Sequence, residues 1–372
     1  MTTPHRIRPW LLAAGLAGLA SAAQADSNVT LYGDIDLYGN TMSSSSGNHV
    51  VALDDGALLR SRWGMRGNED LGGGYAVKFQ LEGGFYSDTG GLAGNGLFDR
   101  QSWVGIASSW GELRAGRQNG PIFTHGDYID FTRRTLGSVI NNFGVPARFD
   151  NDIAYLSPRS SKLQFEAHVS LPEAAVGNHP LVLQASVDYV GDTIVAGAAT
   201  LHALPPTNAL VNKDVEYDHA YVDWKYGQGT VYLAFVRSNN ITSNAVSKTA
   251  GTILSNVGGY NAGTNADLDH FYDIWQVSAD YNVTSQLRVG ALWGRIVDTS
   301  GRDQGAQGGS VGAYYDLSRR TTLLALVDTI RNEANGGFRP AGSAALHSNF
   351  TSPSDVNGQR INGIQLGMVH RF

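Results

Sequence analysis

From Val29 onward the chain alternates apolar and polar residues, and this period of two constrains its fold more than any other feature. In Val29-Thr30-Leu31-Tyr32-Gly33-Asp34-Ile35-Asp36-Leu37-Tyr38, Val29, Leu31, Ile35 and Leu37 share one face, and Thr30, Asp34 and Asp36 the other. Residues 77–82, 163–169, 287–293 and 364–369 repeat the pattern. A helix would spread these charges around its circumference, whereas a strand sorts them onto one face. After residue 25 no run approaches the roughly 18 apolar residues of a membrane-crossing helix, but a barrel strand needs only about 9–11 and alternates in polarity.

Alternation alone does not separate a soluble β-sandwich, with its apolar face inward, from a membrane barrel, with that face toward lipid. Three other features favour the barrel. The first is the N-terminus. Arg6 and Arg8 precede an apolar run from Trp10 to Ala20, and Ala23-Gln24-Ala25 is a small-x-small cleavage site before polar Asp26-Ser27-Asn28. This order marks residues 1–25 as a secretory signal peptide cleaved near Ala25, leaving 26–372 as one barrel domain. The second is the spacing of turns. Short connections built from Gly, Asn, Asp and Ser lie at 68–74, 108–111, 157–161, 191–192, 226–229, 282–285 and 318–321. They alternate with long spacers at 40–57, 87–98, 119–150, 171–181, 202–217, 239–270, 299–308 and 332–360. One end therefore carries tight periplasmic turns and the other long external loops, and a count of about 16 strands places both termini at the short-turn end. The third is aromatic residues near strand ends, among them Tyr38, Tyr75, Trp103, Tyr189, Tyr221, Trp293, Tyr315 and Phe372, which suit the two interfacial girdles. The expected fold is all-β: a 16-stranded antiparallel transmembrane barrel in the outer membrane, among lipid and lipopolysaccharide.

The formal charge is −6, and loss of the two arginines of residues 1–25 makes the remainder more negative, which gives no support for a nucleic-acid partner. The chain has no cysteine, which does not discriminate between the classes.

Charges that a lipid-facing position would penalise are tolerated in a wet lumen. With Leu59, Trp63 and Met65 toward lipid, Arg60, Arg62 and Arg66 share the lumen face. Lys78 falls on that face of the next strand; Arg100 and Arg114 join from the following two, and Arg117 ends a strand after Gly116. Such a basic wall would draw anions. The long stretch 119–150 carries Asp127, Asp130, Arg133 and Arg134, and long loops are commonly functional. Folded inward, it would place Asp127 and Asp130 opposite the arginines and create a field across the pore.

The stretch from Ser61-Arg62-Trp63-Gly64-Met65-Arg66-Gly67 to Asn68-Glu69-Asp70-Leu71-Gly72-Gly73-Gly74 resembles the general porins of β-proteobacteria. So do Leu31-Tyr32-Gly33, Gly116-Arg117-Gln118, the segment from Arg148-Phe149-Asp150 to Ser157-Pro158, and the ending Gly367-Met368-Val369-His370-Arg371-Phe372. The resemblance covers essentially all of 26–372. It implies a homotrimer, a third external loop folded inward, and a terminal Phe372 read as an assembly signal by the barrel-assembly machinery. It also implies passive diffusion of small hydrophilic solutes and inorganic ions, with an anion-preferring constriction of wall arginines and loop acids. The loop lacks a Pro-Glu-Phe-Gly-Gly-like stretch, and its Arg133 and Arg134 add cations that this arrangement does not foresee.

No catalytic group, cofactor or resident metal is expected. Gly308-Gly309-Ser310-Val311-Gly312 matches a nucleophile-elbow pattern but opens an alternating strand rather than a strand-to-helix turn. Asp267, Asp269, His270 and Asp273 form an acidic group at a loop, where an adventitious Ca²⁺ or Mg²⁺ is conceivable. A substrate-specific channel on the same barrel is the alternative reading, ahead of an outer-membrane enzyme or adhesin.

Overall fold

The computed structural model describes residues 28–94, 96–171, 181–204, 214–239, 270–340 and 349–372. The segment 1–25 expected to be a signal peptide, and Asp267 and Asp269, lie outside them. The strands are β1 (Asn28–Ser44), β2 (His49–Asp55), β3 (Arg62–Gly72), β4 (Tyr75–Gly84), β5 (Gln101–Ser108), β6 (Gly111–Asn119), β7 (Arg148–Leu156), β8 (Leu163–Ser170) and β9 (Leu181–Val190). They continue as β10 (Ile194–Leu204), β11 (Val215–Tyr226), β12 (Gly229–Ser238), β13 (Tyr272–Asn282), β14 (Leu287–Asp298), β15 (Ala306–Asp316), β16 (Thr321–Asn332) and β17 (Arg360–Arg371). From β3 to β17 each strand pairs antiparallel with its chain neighbours, β2 and β3 both pair with β1, and β1 pairs with β17 from Asp34↔Arg371 to Ser44↔Ile361, which closes the sheet. Closure leaves no edge with unpaired backbone groups, the condition for a β-structure to stand in lipid.

The 17 segments make 16 barrel strands, because β2 and β3 are two halves of one. The outer half of β1 pairs with β2 and its inner half with β3. Between the halves, residues 56–61 leave the ladder. The Asp36 carboxylate of β1 accepts from the backbone N–H of Leu58 (2.8 Å) and Leu59 (2.7 Å), replacing the lost partners. This corrects the sequence reading of 40–57 as a long loop: β1 continues to Ser44, and residues 45–48 form a tight turn into β2. Elsewhere the turn rhythm is as expected. Gly72, Gly73 and Gly74 turn β3 into β4 with φ of 77°, 63° and 83°, a backbone that side-chain-bearing residues avoid.

Along each strand exposure alternates. β16 is typical, with Leu323, Ala325 and Val327 outward and exposed, and Thr322, Leu324, Leu326 and Asp328 inward. Tyr75, Tyr189, Trp293, Tyr315 and Phe372 are outward and exposed, as the girdle requires. Tyr38, Trp103 and Tyr221 are not: they share the inward parity of Asp36, Gln101 and Asp223 and are buried inside the barrel. The inner face is also not uniformly polar. Tyr217, Tyr272, Ile274, Ile296 and Ile330 point inward and are fully buried, in one cluster with Phe131, Val139, Ile140 and Phe143 of the segment between β6 and β7 and with Phe338 of the segment between β16 and β17.

Candidate pore constriction

The β6–β7 connection, residues 120–147, folds into the barrel and fastens to its inner wall. It leaves β6 through a short helix, Pro121–Thr124, and a 3₁₀ turn, His125–Tyr128. His125 Nε2 lies 2.9 Å from Asp188 of β9, and the Tyr128 ring stacks on Tyr221 of β11 at 5.6 Å. Next, the loop meets β13 to β15. Phe131 N donates to Ser278 Oγ (3.0 Å), Gln276 Nε2 to Asp130 Oδ2 (2.8 Å), Ser310 Oγ to Gly137 O (3.0 Å), and an Arg288 Nη1 to Phe131 O (2.7 Å). A second helix, Val139–Phe143, directs its first N–H groups, Val139 and Ile140, at Gln276 Oε1 (2.9 and 3.1 Å). Its Phe143 ring packs against Tyr217, Tyr272 and Phe338 with centroids 5.6–6.4 Å apart. The Leu136 N–H donates to Ala57 O (3.1 Å), so the loop is tied to the break between β2 and β3 as well.

These attachments determine which loop charges face water. Asp130 is fully buried: its Oδ1 accepts from Thr132 N (2.8 Å), Thr132 Oγ1 (2.6 Å) and Arg134 N (3.1 Å), and its Oδ2 from Gln276. It is therefore a fastening of the loop and does not oppose the wall arginines. Its bonds hold a turn in which Arg133 and Arg134 both adopt left-handed backbone, with φ of 58° and 56°. Such strain in non-glycine residues persists only where surrounding bonds dictate it. The turn exposes Arg133 to the lumen and lays Arg134 over the Phe123 ring at 4.1 Å. Burial pulls the Arg134 guanidinium below its ordinary range, and the Asp127 carboxylate opposes that pull. Asp127 itself is exposed and is the loop acid that lines the passage.

Across from the loop, Arg62 Nε of β3 lies 2.9 Å from Asp34 and 3.8 Å from Glu82, and Arg100 Nε binds Glu82 at 2.6 Å. Glu82 of β4 is buried between the two guanidiniums. Arg114 of β6 bonds Glu112 at 2.6 Å and covers the inward Trp103 ring at 4.2 Å. These ion pairs fix the side chains in rows along the wall. Within this group three arginines meet three carboxylates, Asp34, Glu82 and Glu112, so any net positive charge of the passage comes from the loop and the remaining wall.

Arg62, Arg100, Arg114, Asp127, Arg133 and Arg134 line one polar cavity of about 810 Å³ that runs from the loop to the short-turn end. Four other basic candidates lie elsewhere. Arg60 falls in the 56–61 break, where it bonds Ala93 O and lies 3.8 Å from Asp99; it is buried and does not line the cavity. Arg117 has the parity opposite to Arg114 and lies across from the β-bulge of β7, where Gly116 and Gln118 face Asp152 and Phe149; there it forms a 2.6 Å pair with Asp150. Arg66 and Lys78 keep the inward parity but line a separate hollow of about 330 Å³ on strands β3 and β4. There Arg66 lies over the Tyr32 ring at 5.3 Å, and Lys78 binds Glu112 at 3.0 Å.

The far wall supplies cations that the sequence reading passed over: Arg159, Arg288, Arg319 and Arg371 line the same cavity. Arg288 and Arg371 have inward parity in β14 and β17 and were legible from alternation. Arg159 and Arg319 come from turns, where parity says nothing. Among the described residues the cavity is lined by nine arginines and four carboxylates, Glu82, Asp127, Glu166 and Asp316.

The described residues contain no group of three or more His, Cys, Asp or Glu placed to hold a metal. Asp273 pairs with Arg237 at 2.7 Å, and His270 lies 3.5 Å from Asp298. Ser310 is engaged by Gly137 of the loop, as above.

The family model for Gram-negative porins matches residues 12–335. An outer membrane porin protein of Bordetella pertussis is 30% identical over 373 residues, covering 87% of this chain and 94% of that protein. Outer membrane porin protein 32 of Delftia acidovorans is 24% identical over 379 residues, covering 97% and 99%. Among solved structures, the anion-selective porin from Comamonas acidovorans has the same fold, with a TM-score of 0.69 at 19% identity over 93% of this chain and all of that one. A closed 16-stranded barrel, an inward loop bonded to the far wall, and these relatives converge: the chain belongs to the Gram-negative porin family and is a channel-forming protein of the outer membrane.

Proposed function

We propose that the channel passes small hydrophilic solutes and inorganic ions by passive diffusion and prefers anions. The observation that carries this reading is the excess of nine arginines over four carboxylates lining one cavity, an excess that persists at nine to seven when Asp34, Glu112 and Asp280, which pair with Arg62, Arg114 and Arg288, are counted. In a narrow passage with low-dielectric walls such an excess raises the local concentration of counter-ions. Asp127 beside Arg133 and Arg134 makes the loop side mixed, so the field across the passage is weaker than a purely acidic loop would give. The name of the Comamonas acidovorans porin, anion-selective, points the same way. The decisive measurement is the reversal potential of the purified barrel in a planar bilayer under a salt gradient. Anion preference is expected, and a strong cation preference would overturn the proposal.

The proposed activity is transport without a chemical step. The proposed mature chain begins after Ala25. The proposed assembly is a homotrimer, inserted by the barrel-assembly machinery with Phe372 as its signal and surrounded by lipopolysaccharide. A trimer form is recorded for OmpT of Vibrio cholerae, whose fold is similar (TM-score 0.63, 13% identity). The exposure pattern supports a subunit face: the five most exposed large apolar residues described are Val51, Leu31, Val29, Leu366 and Leu53, all on β1, β2 and β17.

A further inference from the structure

We propose that the outer surface of the barrel carries a binding site for the phosphate groups of lipopolysaccharide, centred on Arg295, Gln307 and Arg331. The strand registers place these residues side by side: Arg295 of β14 pairs with Gln307 of β15, Gln307 with Arg331 of β16, and Arg331 with Arg360 of β17. At the spacing of neighbouring strands, about 4.8 Å, the row is roughly 14 Å long. All four side chains have outward parity and are exposed, so none faces the lumen.

Their height on the barrel suits a headgroup. Each lies at the loop end of its strand. One outward step below the row stand Trp293, Gly309, Thr329 and Asn362; two steps below, Val311, Val327 and Ile364 begin the lipid-facing band. Arginine is costly deep in that band and nearly free of cost at its rim, where its stem can lie along apolar surface. The outer leaflet at this rim is lipopolysaccharide, whose phosphates are the complementary charge.

The row is also concave. A hollow of about 460 Å³ is lined by Arg295, Gln307, Arg331 and Glu333. Glu333 lies 3.6 Å from Arg295 and offsets part of its charge. Arg331 and Arg360 have no carboxylate within ion-pair distance among the described residues. A guanidinium presents paired N–H donors that match phosphate oxygens, and such charge-assisted bonds are among the stronger ones. Elsewhere on this rim the charge is already satisfied: Arg237 is closed on Asp273 at 2.7 Å and covers Phe271 at 4.5 Å.

The proposal rests on the placement of the barrel in the outer membrane and is independent of the ion preference of its lumen. The folded barrel in detergent, titrated with fluorescent bis-phosphorylated lipid A, tests it. The double substitution Arg295→Gln and Arg331→Gln is expected to weaken binding about tenfold or more. A phosphate-free lipid A with the same acyl chains is expected to bind parent and variant equally weakly, and inorganic phosphate at equal concentration is expected not to displace the lipid. Unchanged affinity in the variant overturns the proposal. So does equally tight binding of the phosphate-free lipid, which would assign recognition to the apolar band. Full displacement by inorganic phosphate would make the site one for free anions and overturn its assignment to lipid. The reversal potential of the variant in a planar bilayer is expected to match the parent; a shift would place these arginines in the lumen and equally overturn the site.

Discussion

At the scale of single residues, the constriction depends on a division between charges that face water and charges that hold the structure. Arg62 and Arg114 line the cavity, and each retains a carboxylate partner on its own wall. Replacing both with glutamine removes two cations while leaving two acids in place. The reversal potential in a bilayer should move measurably toward cations, and an unmoved potential would show that these groups do not set selectivity. Asp130 belongs to the other class. Asp130→Ala leaves the Gln276 amide and the Thr132 and Arg134 N–H groups without a buried acceptor, at a cost of roughly 1–3 kcal/mol for each group not rescued by water. Amide exchange in 121–143 should accelerate and current noise should rise, while exchange in the strands stays unchanged. Slow exchange in 121–143 of the variant would refute the role as a fastening. The sequence did not distinguish Asp127 from Asp130, because loop residues have no parity. What separates them is Gln276, 146 residues away, which accepts from the loop helix and donates to the Asp130 carboxylate and not to that of Asp127. Arg117 is a different case: it lies three positions after the inward Arg114, so the alternation of β6 already gives it the opposite parity, and grouping it with the wall went against that signal.

At the scale of elements, the strands were largely legible, since alternation and tight turns are local signals. The exception is informative. The 40–57 stretch reads as a loop because its first residues, Thr41, Ser43 and Ser45, give the outward face no apolar character, and because Gly56 interrupts the second half. The strand exists there because β17 on one side and β2 on the other supply its ladder. The 56–61 break between β2 and β3 depends on Asp36 in the same way that the loop turn depends on Asp130. Asp36→Ala removes the acceptor of two backbone N–H groups and should lower the stability of the folded barrel by roughly 2 kcal/mol or more. The temperature at which the compact form is lost on unheated electrophoresis would register this, and an unchanged temperature would argue that water caps the break. The apolar lining under the loop was not legible, because inward isoleucines and tyrosines at 217, 272, 274, 296 and 330 look like disruptions of the polar face until the segment that covers them is placed.

At the scale of the whole molecule, the question is what covers the most exposed apolar wall, on β1, β2 and β17. Lipid and a second subunit make different demands on shape. Tryptophan is welcome against lipid near an interface, but an overfilled subunit contact loses its fit. If this wall is the face of the proposed trimer, Val51→Trp together with Leu53→Trp should therefore leave only a folded, conducting monomer on native electrophoresis. A trimer that survives would assign this wall to lipid. Fold class and compartment were readable in the sequence because they depend on period and order of segments; the proposed subunit face rests on degrees of exposure, which only the closed sheet defines.

The seats of the inward loop lie far along the chain from the loop itself: Phe131 reaches Ser278, 147 residues later. A strand that slips by one residue exchanges its two faces. A slip in β13 would turn Gln276 and Ser278 out to lipid and present Trp275 and Val277 to the passage, and the loop would lose its acceptors and its donors together. The width of the pore thus depends on the register of a strand 146 residues away from the loop. A barrel that closed with β13 one residue out of register would therefore be expected to conduct as a wide, noisy channel.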